Sequence, residues 1–128
     1  MCWNAIGTTF VTALAFSTIS GCSDPAPALK AAITLEVNSS GCDSDHPIAL
    51  HITNTSSGQL DGVWFIIRGQ EAGHSTILAH SGRLVADKIM APGEVYSRCT
   101  TKPEMIRPAA PDVKLAYTVE VENAYGPS

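Results

Sequence analysis

The sequence contains no run of lysine or arginine and no basic patch, which argues against a nucleic-acid partner. It has no Cys-x-x-Cys, so dithiol redox chemistry has little support. No paired-carboxylate, Gly-x-Ser-x-Gly or Ser-His-Asp arrangement is legible, and the chain is not expected to be an enzyme. No apolar stretch reaches the ~20 residues of a membrane-spanning helix, which argues against a transporter. After residue 30 there is no amphipathic helical pattern, and there is no internal repeat. The first 22 residues carry no Asp, Glu, Lys or Arg; all 12 acidic and 8 basic side chains come later. The resulting formal charge of −4 is too mild to imply a cationic substrate.

What the N-terminus does contain is an uncharged, mostly apolar run from Ala5 to Ile19. Its centre, Phe10 to Phe16, has the length of a secretory-signal apolar core. The run ends in Ile19-Ser20-Gly21-Cys22, which resembles the lipobox of bacterial lipoproteins. That resemblance implies cleavage before Cys22, acylation of Cys22, and a signal peptide over residues 1–21. A plain secretory signal with an incidental Cys22 is the alternative. Two or three acyl chains give stable membrane attachment where one does not. In Gram-negative lipoproteins an Asp directly after the lipidated cysteine favours the inner membrane. Here that residue is Ser23, so the resemblance implies an outer-membrane anchor facing the periplasm.

Residues 22–128 are about the size of one domain. With Cys2 removed and Cys22 lipidated, Cys42 and Cys99 remain, and in an oxidising compartment they are expected to form a disulfide. Such a bond closes nearly sixty residues and is worth about 4 kcal/mol in the chain-entropy model. Two buried thiols, a redox pair or two metal ligands are the other readings.

Residues 22–31 form a Pro/Ala tether, and residues 32–124 are expected to be the folded domain. Period-2 alternation marks half-buried strands at Ile33/Leu35/Val37, at Ile48/Leu50/Ile52, and at Val113/Leu115/Tyr117/Val119/Val121. Val63 to Ile67 is apolar on both faces and reads as a central strand. Weaker strands fit Thr76–Ala79, Leu84–Ile89 and Glu94–Cys99. Turn signals fall at residues 39–41, 54–58, 68–73 and 91–93, and the proline-rich stretch 100–112 is expected to be a long crossing loop. The total is an all-β, antiparallel sandwich of about seven strands, immunoglobulin-like in architecture. Trp64 lies too far beyond Cys42 for the usual immunoglobulin core pairing.

The succession Asn54-x-Ser56, Val63-x-Phe65, Gly69 and Gly73, and Ala91-Pro92-Gly93 resembles the small FxLYD-type sandwich domains and short proteobacterial lipoproteins. The resemblance implies a binding or scaffolding module and assigns no chemistry.

Candidate site residues are few. Four histidines (His46, His51, His74, His80) are the metal candidates, and His74 and His80 are the weak pair worth naming. Exposed surface histidines are the simpler reading, and no cofactor is expected. Asp43 and Asp45 read as an acidic turn bonding its own backbone. Asn38 and Asn54 match glycosylation sequons, for which Asn-Ser turns are the alternative. Trp64 and Ile66 share the face of the central strand opposite Val63, Phe65 and Ile67. As an outward patch they are the expected partner site, with residues 69–80 as rim, unless Met105 and Ile106 of the long loop cover them. The expected function is a non-enzymatic, lipid-anchored envelope protein that binds another envelope protein. An inhibitor of a cell-wall or other envelope enzyme is the alternative, and a periplasmic metal-binding protein the second alternative. No small-molecule substrate is evident.

Overall fold

The computed structural model describes residues 28–127. The expected signal peptide (residues 1–21), Cys22 and most of the expected 22–31 tether lie outside the described residues. Seven strands follow one another: β1 Ala31–Val37, β2 Ile48–Asn54, β3 Gly62–Glu71, β4 Ile77–Ala86, β5 Val95–Thr100, β6 Glu104–Met105 and β7 Leu115–Tyr125. They form two antiparallel sheets, one ordered β1-β2-β5 and the other β6-β4-β3-β7. The expected all-β sandwich is therefore what the chain builds. Among the described residues no helix is long and apolar enough to cross a membrane.

Alternation sets the layers. Ile48, Leu50 and Ile52 of β2 face Val63, Phe65 and Ile67 of β3 across the core, and all six are fully buried. Leu60 and Met90 close one end through an antiparallel bridge. Burial of each such side chain contributes ~1.5–3 kcal/mol, so this two-strand stripe is the main source of cohesion. The outer strands β1 and β7 bury only the inner halves of Ile33, Leu35, Val119 and Val121 against it. The neighbours β1-β2-β5 and β3-β7 match the A-B-E and C-F neighbours of an immunoglobulin sandwich.

Three details depart from the sequence expectation. Thr76–Ala79 and Leu84–Ile89, expected as two strands, are one strand, β4, with a bulge at Ser81-Gly82. Gly82 takes φ +69°, which a glycine adopts without steric cost. The bulge leaves the Ile67 N–H without a ladder partner, and the Ser81 hydroxyl accepts it at 2.9 Å. Residues 68–71, expected in a turn, extend β3 instead. Gly69 is there for close approach: a Cβ at this position would sit 3.0 Å from Cε1 of Tyr117 and 3.1 Å from Cβ of Ala79. The long loop contributes a short strand, β6, that hydrogen-bonds the edge of β4 and leaves Met105 and Ile106 exposed.

The strand directions sort the connections into two poles. Residues 28–30, 55–61, 87–94 and 126–127 lie at the near pole, where the described chain both begins and leaves. Residues 38–47, 72–76 and 101–114 lie at the far pole.

Candidate functional site

The outer face of the four-stranded sheet carries an aromatic cluster with charged partners. β3 alternates Val63, Phe65 and Ile67 inward and Trp64, Ile66 and Arg68 outward, as expected. Asn123 of β7 and Val85 of β4 flank Trp64 in register. The Trp64 indole meets the Tyr125 ring edge-on, with centroids 5.9 Å apart and planes at 61°. The Arg83 guanidinium lies 4.9 Å from the indole centroid, within cation-π range.

Arg83 then continues to Glu122, its Nε donating at 2.7 Å. Arg83 stands on β4 and Glu122 on β7, so this ion pair spans the central strand over its outer face. A second pair, Arg68 with Glu120, flanks Ile66 on the β7 side. Ile66, whose cross-strand neighbours are Arg83 and Glu120, is consequently only 8% exposed. It is covered by the charged side chains of its own sheet and not by Met105 and Ile106, which point to solvent at the sheet edge. The half-buried Trp64, the half-buried Tyr125 and the exposed Val85 are the accessible apolar part of this face. Residues 69–80 lie towards the far pole, away from Trp64, and do not rim it.

Three of the four histidines have a partner close by in sequence. The His46 ring and backbone N–H both engage Asp43 Oδ1, which also accepts the Asp45 N–H, so the acidic stretch is the self-bonded turn expected. Donation by the His46 backbone, then by its ring, lowers the Asp43 carboxyl below its ordinary pKa of 3.8. His74 Nε2 lies 3.6 Å from Glu71 in an exposed turn. His80 Nδ1 accepts the Gly82 N–H at 2.9 Å and so holds the β4 bulge. Among the described residues no group of three or more His, Cys, Asp or Glu converges with the geometry to hold a metal ion.

His51 has a partner that the sequence did not reveal. Its Nδ1 and the Ser97 Oγ are 2.8 Å apart, because β2 and β5 pair with His51 opposite Ser97. The pair lines a shallow concavity of about 250 Å³ beside Cys42 and Cys99. The only side-chain hydrogen bond of His51 among the described residues is to Ser97. Only the β2–β5 register creates this contact, and a 46-residue separation hides it in the sequence.

Cys42 and Cys99 form the expected disulfide, with Cα atoms 5.8 Å apart and a sequence separation of 57. It ties the 38–47 loop to the end of β5, within one sheet, where an immunoglobulin disulfide joins the two sheets. Cys99 faces outward opposite Ala49, which is left 7% exposed. Asn54 is a side chain in the near-pole turns, 1% exposed and fully hydrogen-bonded. Its burial excludes the folded chain as a glycan acceptor at that position. Comparison with known family models, curated proteins and solved structures finds no match to this chain.

Proposed function

We propose that the chain is a non-enzymatic, lipid-anchored envelope protein, attached through Cys22, that binds another envelope protein through the outer face of its four-stranded sheet. The observation that carries the reading is the Trp64–Arg83–Tyr125 cluster beside exposed Val85. Trp, Tyr and Arg are the residues that dominate binding energy at protein interfaces, and they do so when clustered on a rigid element. Here they stand on paired strands, and the ion pair to Glu122 already orders the Arg83 side chain, so little rotamer entropy remains to be lost on binding. Ile66 serves as apolar support beneath the cluster.

On this reading a tether over residues 22–30 would hold this face near the membrane. β1 begins at Ala31, and residues 22–30 span at most about 30 Å when extended. Trp64 lies at the near-pole end of β3, opposite Asn123 and close to Tyr125. The partner suited to this placement is itself held at the membrane surface.

The test is crosslinking in intact cells with the wild type and with Trp64→Ala. Trp64 is half-buried on an outer face, so the variant keeps the core and folds. Loss of the crosslinked partner with unchanged protein level supports the site; undiminished recovery refutes it. The intact mass of the membrane-fraction protein tests the anchor: residues 22–128 plus acyl groups supports it, and an unlipidated full-length mass overturns it.

A further inference from the structure

At the far pole the two sheets part along one side of the sandwich. β1 is an edge strand of its sheet and β7 an edge strand of the other, and among the described residues no backbone hydrogen bond joins them. A cleft of about 550 Å³ opens between the end of β1 and the start of β7. That volume is in the ~300–1,000 Å³ range of small-ligand pockets, and the cleft is open to solvent. Val37, Leu115 and Tyr117 supply its apolar wall, and Asn38, Lys102 and Lys114 its polar groups.

The charge of this cleft is opposite to that of the molecule. The chain has 12 carboxylates against 8 lysines and arginines, yet two of those eight line the cleft and, among the described residues, no carboxylate does. Elsewhere Arg68 and Arg83 pair with glutamates, Arg98 donates to the Val85 carbonyl and Lys88 lies over the Tyr96 ring, while Lys30 and Arg107 stand apart from each other without an ion-pair partner among the described residues. Lys102 and Lys114 are exposed and have no ion-pair partner among the described residues. The side also presents edge N–H and C=O groups of two strands, which take up an extended chain by strand addition. The ligand must therefore bring a negative charge, a small apolar body and backbone-type donors and acceptors together.

We propose that this cleft captures the free C-terminal carboxylate of an extended peptide segment, the carboxylate meeting Lys102 and Lys114 and the last side chains lying against Val37, Leu115 and Tyr117. The site is separate from the Trp64 face and does not depend on the lipid anchor.

The experiment is fluorescence anisotropy on the full chain with two N-terminally labelled pools of randomised tetrapeptides, one ending in a free carboxylate and one amidated. The free-acid pool binds, and amidation weakens binding at least tenfold. Lys102→Gln with Lys114→Gln weakens it at least tenfold while the urea midpoint stays unchanged. Lys30→Gln with Lys88→Gln, which removes the same charge elsewhere, leaves it within twofold. Equal binding of the two pools, binding of neither, or an equal loss in both lysine pairs overturns the proposal.

Discussion

Asn54 holds the near-pole turns together, and its replacement by aspartate gives a sharp test of the packing argument. Its Nδ2 donates to the Gly58 carbonyl at 2.8 Å and to the Met90 carbonyl at 3.0 Å. Its Oδ1 accepts the Ser56 N–H at 3.0 Å and the Ser56 hydroxyl. The amide orientation is fixed by these partners, since carbonyls only accept and a backbone N–H only donates. In Asn54→Ala the Met90 carbonyl keeps the Leu60 N–H at 3.0 Å, and the freed Ser56 hydroxyl turns to Gly58 O at 3.2 Å. The Ser56 N–H loses its acceptor, and a small cavity opens. At ~1 kcal/mol for each bond lost and ~1–3 kcal/mol for an orphaned group, the expected cost is about 2–4 kcal/mol. Asn54→Asp has the same shape, yet it aims a carboxylate oxygen at two carbonyl oxygens in a site that is 1% exposed. At pH 7 it is expected to cost more than alanine, because a buried unpaired charge is added to the lost donors.

That cost depends on pH. Burial and the facing carbonyls raise the pKa of the introduced carboxyl in the folded state above its unfolded value of ~3.9. The unfolded state then loses its proton first as pH rises, so the charge part of the penalty is absent below the unfolded value and grows with pH until the folded group also ionises. Urea unfolding of the oxidised protein at pH 7 and near pH 4 measures this. The gap between wild type and Asn54→Asp should narrow at the lower pH. A variant within ~1 kcal/mol of wild type at pH 7, or a gap that widens on acidification, would show that the turn network does not carry this load.

Cys42→Ser, Cys99→Ser and the double variant should each lose about 4 kcal/mol by urea titration, the double no more than either single, because one closure across a sequence separation of 57 is being removed. That is a large share of the ~5–15 kcal/mol of a domain, so all three should also be more protease-sensitive. Asp43 has a lowered pKa, so its loop contacts are present above the ordinary carboxylate range and lost as pH falls through its own lower value. Asp43→Asn should therefore differ from wild type in loop amide exchange at Asp45 and His46 at neutral pH and converge with it only in acid.

The period-2 pattern determined the layers by itself. Ile48, Leu50, Ile52, Val63, Phe65 and Ile67 are legible as core because strand side chains alternate faces whatever the neighbours are. The Ala91-Pro92-Gly93 turn was equally local: Gly93 at φ +79° follows Pro92, and the Glu94 N–H closes on the Ala91 carbonyl. Two cysteines left over in the folded segment were enough to pair. Other features depend on contacts between strands distant in sequence. Gly69 reads as a turn residue until Tyr117 is seen to need its space. His80, Ser81 and Gly82 read as a break between strands until the Ile67 N–H is seen to need Ser81. Ile66 reads as an outward residue, either exposed or under the 100–112 loop, until Arg83 is found reaching over β3 to Glu122. The His51–Ser97 pair and the lysine-lined cleft exist only once β2 meets β5 and β1 comes to lie beside β7. Local periodicity fixes which face a side chain takes; what lies on that face is decided by register and sheet order, and these are set by the energy of the whole packed domain.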